Sequence, residues 1–306
     1  MPDVSVVIPT RDRPELLAQT LTTVLWQRDV DLEVVVVDDG SETPLVGRVA
    51  ELSDPRVDVV RNDDSHGVSG ARNRGIERAT GDWVAFCDDD DLWAPDKLAD
   101  QIAAATHAGS SWVYAGDVNV DDRLRIIGGG PPPSPEAVMA DLTHYNAVPS
   151  GASNVVVRAD VLAAVGGFDS ALTTSEDWDL WLRLARAGPP ACVPRPWVAL
   201  RIHSGNASNN MTRLLEELEV VAARHGVSVD LPRHLRWAAW SALGQGRRAE
   251  ALRFYARAVA KGDVASAGRM AITLVRPSMA RNRSFARQKD DPWLSEADRW
   301  LGELNE

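Results

Sequence analysis

Gly81-Asp82-Trp83-Val84-Ala85-Phe86-Cys87-Asp88-Asp89-Asp90-Asp91-Leu92-Trp93 is the stretch from which the architecture is read. The short apolar run from Trp83 to Cys87 has the pattern of a buried strand, and four consecutive carboxylates follow where that strand leaves its sheet. Adjacent carboxylates repel and raise one another's pKa, so such a run is either solvated on a loop or turned toward a cation. Strand alternation predicts Asp88 and Asp90 on one side and Asp89 and Asp91 on the other. Carboxylates at that spacing hold a hard divalent ion while leaving positions open for diphosphate oxygens, the usual setting of Mg²⁺ or Mn²⁺ in phosphate chemistry.

Upstream, Val4-Ser5-Val6-Val7-Ile8 is an extended run closed by Pro9 and followed by Thr10-Arg11-Asp12-Arg13. Pro14 suits the first turn of a helix reaching about Trp26, with Leu16, Leu17, Leu21 and Val24 inward. Leu32 to Val37 is a nearly continuous apolar strand ending in Asp38-Asp39-Gly40-Ser41. Strand, helix and strand at this spacing form a βαβ unit, and ligands of parallel sheets bind beyond the carboxyl ends of the strands. Pro9-Thr10-Arg11, Asp38-Asp39 and the acidic run are therefore expected to converge at one edge. A third strand, Val57 to Val60, leads to Gly67-Val68-Ser69-Gly70-Ala71-Arg72-Asn73-Arg74-Gly75. There Gly67 and Gly70 would let backbone amides approach a diphosphate, with Arg72 or Arg74 adding charge. Neither the G-x-G-x-x-G dinucleotide fingerprint nor the G-x-x-x-x-G-K-[ST] loop occurs.

The 306 residues, 44% hydrophobic and 25% charged, suffice for one large domain and a smaller one. A net charge of -11 argues against nucleic acid or an anionic membrane as the main partner. No apolar run reaches bilayer length, and the chain opens directly into a strand, so the expected location is the cytoplasm. Cys87 and Cys192 sit in apolar surroundings without metal-ligand spacing and are expected to be buried reduced thiols.

Downstream, Pro95 to about His107 reads as a helix with Leu98, Ile102 and Ala105 inward, closed by Gly109. Trp112 to Ala115 is strand-like. Asp117 to Pro135, containing Gly128-Gly129-Gly130, reads as a loop-rich excursion suited to acceptor binding or a lid. Asn154 to Val157 reads as a strand, and Ala159 to Val165 as a helix stopped by Gly166-Gly167. Ser175-Glu176-Asp177-Trp178-Asp179 opens another helix, with Thr174 or Ser175 as cap and Trp178, Trp181, Leu182 and Ala185 buried. Trp197 to His203 alternates as a strand and delivers His203 into Ser204-Gly205-Asn206.

Beyond residue 210 the pattern is helical: Leu214 to Arg224, Leu235 to Leu243, then Gly246 to Ala258, which resembles the second helix of a tetratricopeptide repeat. One repeat cannot bury its own face, so a helical hairpin is expected, with Trp237 and Trp240 between it and the main domain. Arg276 to Asp291 reads as a mobile segment and Ser295 to Leu304 as a last helix. The expected division is a catalytic domain over 1–210 and a helical extension over 211–306.

VSVVIPTRDR, VVVVDDGS, GVSGARNRGI and GDWVAFCDDDDLWAPDKL, in this order over residues 3 to about 98, resemble the nucleotide-sugar-binding half of family 2 glycosyltransferases with the GT-A fold. The resemblance implies an α/β, Rossmann-like, mostly parallel sheet flanked by helices, and a nucleotide diphosphate sugar as donor. It implies an inverting transfer to an acceptor hydroxyl, with Mn²⁺ or Mg²⁺ as cofactor. In the donor site it puts Pro9, Thr10, Arg11 and Asp39 near the nucleotide base, with Gly67 and Arg72 nearby, and it makes the acidic run the DxD motif. Asp88 and Asp90 fit the D-x-D spacing, Asp90 as principal metal ligand and Asp89 as a ribose contact; four aspartates in a row leave the register open. GGFD followed by Glu176-Asp177 is similar to the family's second signature, implying Asp177 as general base with Glu176 shaping the site. R-x-H-x-G-N-x-S around His203 is similar to a pattern that completes the metal site or meets the diphosphate.

Two alternatives stay open. A sugar nucleotidyltransferase would carry a glycine-rich basic loop where this chain has Pro9-Thr10-Arg11-Asp12. A non-catalytic scaffold would bind a nucleotide sugar and recruit partners through the helical extension. The acceptor, whether glycan, lipid-linked sugar, peptide or small molecule, is not legible, nor is the oligomeric state.

Overall fold

The computed structural model describes residues 1–50, 53–203, 210–275 and 291–304. The first half runs β1 (Val4–Thr10), α1 (Pro14–Leu25), β2 (Leu32–Asp39), α2 (Val46–Ala50), β3 (Val57–Asn62), α3 (Gly67–Arg78), β4 (Trp83–Phe86), β5 (Leu92–Trp93), α4 (Lys97–Ala108), β6 (Trp112–Val120) and β7 (Ile126–Gly130). It continues with α5 (Pro135–Asp141), a 3-10 turn (Gly151–Asn154), β8 (Val156–Arg158), α6 (Ala159–Val165), α7 (Glu176–Ala187) and β9 (Ala191–Arg201). Helices follow: α8 (Met211–His225), α9 (Leu231–Gly244), α10 (Arg248–Ala260), α11 (Val264–Val275) and α12 (Pro292–Glu303). The expectations for Ser204 to Asn206 and for most of the Arg276 to Asp291 segment lie outside the described residues.

The strands form one sheet in the order β3-β2-β1-β4-β8-β6-β9-β5, with β7 paired to β6. From β3 to β4 neighbours are parallel, as the valine-rich runs and βαβ spacing require. Beyond β4 the sheet is mixed, with β8 antiparallel to both β4 and β6 and β9 parallel to β6. Alternation on β1 sends Val4, Val6 and Ile8 into one apolar cluster and Val7 into another. The helices after residue 210 feed both: Leu218, Leu235 and Phe254 join the second cluster, and Trp293 and Trp300 of α12 join the first. The indoles of Trp293 and Trp300 also donate to the carbonyls of Asp117 and Pro196 at 3.3 and 3.0 Å.

Several local expectations change. The Asp117 to Pro135 excursion contains the rest of β6 and all of β7, a hairpin built on glycine. Gly129 has φ +133, and a Cβ there would lie 2.8 Å from Val118 Cα, so the hairpin closes only without a side chain. On α1, Thr20 and Thr23 are buried while Leu16 is half-buried. Their hydroxyls serve the acidic loop: Thr20 donates to the Asp91 carbonyl at 2.9 Å and Thr23 accepts from the Trp93 amide at 3.2 Å. Ser175 is the N-cap of α7, yet its side chain makes no capping bond. Asn154 lies in the 3-10 turn, where its amide bridges the Ala115 N–H and C=O at 2.8 and 2.7 Å. Cys87 is buried and Cys192 half-buried, both unpaired with another cysteine. Among the described residues, no helix is long and apolar enough to cross a membrane.

Gly81, two residues before β4, sits where a Cβ would lie 2.8 Å from both the Ser5 amide nitrogen and the Val4 carbonyl carbon. Backbone cannot rotate away, so Gly81→Ala is expected to lower the unfolding free energy by about 1–3 kcal/mol in urea titrations. An unchanged midpoint would contradict this packing.

Candidate active site

Parallel pairing brings the carboxyl ends of β1, β2 and β4 to one edge, where a cavity of about 890 Å³ opens. Pro9, Thr10, Arg11, Asp39, Gly67 and Arg72 line its sheet side, together with Asp88, Asp89 and Asp90. Glu176 and Asp177 line it from α7.

After β4 the chain turns instead of extending, with the Asp91 amide donating to the Asp88 carbonyl at 3.2 Å. The predicted alternation of the four aspartates therefore does not hold. Asp89 and Asp90 share one cation: Arg13 Nη1 lies 3.2 Å from Asp89 Oδ1 and 3.0 Å from Asp90 Oδ2. Thr10 donates to Asp89 Oδ2 at 2.7 Å. His203 Nε2 lies 2.8 Å from Asp90 Oδ2, so the fold joins two predicted metal ligands from opposite ends of the catalytic region. Asp91 points inward and accepts from the Arg201 amide at 3.0 Å. Burial, and then the charge of Asp90, push Asp89 up to about 7 and Asp91 well above the usual carboxylate range.

Arg72 is 2% exposed and carries the link between the acidic turn and α7. Its Nη2 donates to Asp88 Oδ1 at 2.5 Å and its Nη1 to Glu176 Oε1 at 2.7 Å, while the guanidinium lies 5.1 Å from the Phe168 ring centroid. Arg74, the other candidate, is exposed beside Glu77. Asp39 accepts from the Asn62 side chain, the Ser65 hydroxyl and the amides of His66 and Gly67 at 2.7–3.0 Å. Burial alone would raise its pKa; these donors hold it below the usual range. The Gly67 amide expected to face a diphosphate is thus bonded to Asp39.

Asp177 stands in the first turn of α7. Its Oδ2 accepts from Asn146 Nδ2 at 2.8 Å and its Oδ1 from the Trp178 amide at 2.7 Å. A Cβ on Gly151 would lie 2.9 Å from Oδ2, so that side of the carboxylate tolerates only glycine without rearrangement. Burial, then the neighbouring Glu176 charge, raise Asp177 to about 7 against the donors that favour its ionised form. A carboxylate poised there exchanges a proton near neutrality.

The remaining wall was not legible as such in the sequence. Asn146, Ser150 and Asp117 line the cavity, with Ser150 donating to Asp117 at 2.6 Å. Trp237 and Trp240, expected only to pack between hairpin and main domain, are half-buried and line the cavity from α9. Tyr145 also lines the cavity, with the Arg233 guanidinium 4.1 Å from its ring centroid. The positive charge of Arg13 was available as a signal: an acidic run that turns inward needs a cation, and Arg13 follows the first strand.

Removing the Arg72 guanidinium would leave Asp88 and Glu176 facing each other without a counter-charge. Arg72→Met is expected to lower the unfolding free energy by about 3–5 kcal/mol in chemical denaturation. A wild-type midpoint would mean that the bridge is dispensable.

The family model described as Glycosyl transferase family 2 matches residues 5–154, and one described as Glycosyltransferase like family 2 matches residues 136–235. The succinoglycan biosynthesis protein ExoO of Rhizobium meliloti is 31% identical over 242 residues, 73% of this chain and 67% of the relative. The UDP-Glc:alpha-D-GlcNAc-diphosphoundecaprenol beta-1,3-glucosyltransferase WfgD of Escherichia coli is 28% identical over 187 residues, 60% of this chain and 70% of the relative. S. aureus TarS 1-349 in complex with UDP-GlcNAc is similar in fold, with a TM-score of 0.56 over 99% of this chain and 80% of that one at 17% identity. The sheet, its C-terminal helices and these matches agree, and the chain belongs to glycosyltransferase family 2 with a GT-A-like fold.

Proposed function

We propose that the chain transfers a glycosyl group from a nucleoside diphosphate sugar to an acceptor hydroxyl in one inverting displacement, with Asp177 as general base. The observation that carries this reading is the position of Asp177: a carboxylate raised to about 7, on the cavity wall, joined to the acidic turn through Glu176, Arg72 and Asp88. The relative WfgD is named for UDP-Glc and the TarS complex holds UDP-GlcNAc, which favours a uridine diphosphate sugar as donor.

In this reading the acceptor O–H gives its proton to Asp177 as its oxygen attacks the anomeric carbon. The bond from that carbon to the diphosphate breaks on the opposite face, and the electron pair leaves with the diphosphate. Pro9, Thr10 and Arg11 border the base site, and Asp39 shapes it by fixing Ser65 to Gly67. Arg13 holds Asp89 and Asp90, so that Asp89 stands by the ribose.

The donor set suits a divalent cation: a carboxylate oxygen of Asp90 lies beside an imidazole nitrogen of His203, and Asp88 stands on the same turn. Among the described residues, no three acidic, histidine or cysteine side chains already converge as a cage. Asp90, His203 and Asp88 would hold the ion, which when bound supplies positive charge to the departing diphosphate.

On the acceptor side, Trp237, Trp240 and Tyr145 offer apolar ring faces beside the polar Asn146 and Asp117. Such a wall suits a sugar, whose C–H faces pack on aromatics while its hydroxyls seek amides and carboxylates. A glycan or lipid-linked sugar is therefore the favoured acceptor class.

Asp177→Asn is expected to reduce transfer at least about a thousandfold while donor binding persists. In the wild type, kcat/KM should rise with pH through about 7, because only the ionised carboxylate accepts the proton. A fully active variant would remove Asp177 from this role. In a separate thermal-shift titration, UDP with Mn²⁺ should raise Tm, and Asp90→Ala should lose the metal-dependent part of that rise. Equal shifts in the two proteins would place the ion elsewhere.

A further inference from the structure

Helix α7 carries Glu176 and Asp177 in its first turn, and the amides at and before such a helix start need acceptors. The side chain of the N-cap Ser175 makes no capping bond, and within the first turn the Trp178 amide is taken by Asp177 itself. The amides just before the helix find their acceptor on another helix. Glu217, in the middle of α8 and 6% exposed, turns its carboxylate onto residues 173–175. It accepts the amides of Thr173, Thr174 and Ser175 at 3.0, 2.8 and 3.1 Å. The hydroxyls of Thr173 and Thr174 donate to it at 3.0 and 2.9 Å, and Arg213 Nε at 2.8 Å. Successive backbone N–H groups wrapped around one anion form a concave anion site, here filled by the protein's own carboxylate. Burial alone would raise the Glu217 pKa, but these donors hold it down at about 2, so the anion persists at every working pH.

The segment it grips is part of the cavity. Thr173, Thr174 and Ser175 line the wall and run directly into Glu176 and Asp177. At the other end, the Leu172 carbonyl accepts from Ser69 on α3 at 2.5 Å, and α3 also carries Arg72. The segment before the catalytic turn is therefore hung between two helices, one bearing the cation of the donor side and one from the helical region. Leu214 and Leu218 of α8 line the same cavity, one turn or less from Glu217.

We infer that Glu217 is a positioning residue for transfer: by binding the three amides before α7 it fixes where Asp177 stands relative to the donor, and so makes the helices after residue 210 part of the catalytic apparatus. The inference rests on the reading of Asp177 as base. A displacement of about 1 Å at a reacting group costs up to about a hundredfold in rate.

The test uses two variants of the full chain. Glu217→Asp keeps the charge but shortens the reach, and Glu217→Gln keeps the reach but removes the charge. Both are compared with wild type and Asp177→Asn for hydrolysis of UDP-glucose and UDP-GlcNAc with Mn²⁺. The Asp177 carboxyl is titrated by ¹³C NMR, identified as the signal absent from Asp177→Asn. Expected for each folded variant are a kcat at least about tenfold lower and an Asp177 titration displaced from that of wild type. Wild-type kcat and wild-type Asp177 titration in either folded variant would overturn the inference. Should Glu217→Gln fail to fold, Glu217→Asp decides, and the NMR titration decides even if neither sugar nucleotide is turned over. An active Asp177→Asn would instead break the reading of Asp177 as base, an outcome separable from a silent Glu217 variant.

Discussion

A buried guanidinium reaching two carboxylates is the interaction on which the cavity depends. Arg72 comes from α3, Asp88 from the turn after β4 and Glu176 from the start of α7, so one side chain fixes three elements. Burying an ion is costly unless it is paired, and here the same pairing that offsets that cost also sets the distance between the acidic turn and Asp177. Arg13 repeats the device on the neighbouring carboxylates, holding Asp89 and Asp90. Charges that would repel in isolation are arranged as a graded set. Asp39 is held below its ordinary pKa by four donors, while Asp89 and Asp177 are raised to about 7 by burial and a neighbouring carboxylate.

The helices after residue 210 are not a separate layer added to a finished enzyme. Leu218 and Leu235 share an apolar cluster with Val7 and Phe86 of the sheet, and Trp237 and Trp240 face the same cavity as Asp177. Trp293 and Trp300 reach the opposite cluster. The sheet edge supplies the charged half of the cavity, and the helices supply much of its aromatic half.

The fold was legible where single segments decide it. The runs Val4 to Ile8 and Val34 to Val37 admit only buried parallel strands, and their polar ends locate the site. Pairings between distant segments were legible only through family resemblance: nothing local to His203 says that it meets Asp90, and helix rules explain the acids of α7 without any chemistry. What could not be read depends on three-dimensional closure. The chain turns at Asp88 instead of continuing as a strand, so Asp89 joins Asp88 and Asp90 at the cavity while Asp91 alone turns inward, and the side Asp89 takes was mispredicted. The glycines of β7 lack strand propensity and pair because Gly129 lets the hairpin close on Val118. Trp237 and Trp240 have the spacing of a packing face, and only the finished fold leaves a cavity in front of them. Glu217 is one acidic residue among several on α8, and its role exists only where α8 meets the start of α7.

The most direct test of the account is a crystal structure of the Asp177→Asn protein with an intact UDP-sugar and Mn²⁺. The account predicts the diphosphate and ion at Asp88, Asp90 and His203, with the face of the anomeric carbon opposite the diphosphate turned toward residue 177 and the aromatic wall of α9. A donor bound with residue 177 on the diphosphate side of that carbon, or outside the cavity, would contradict it.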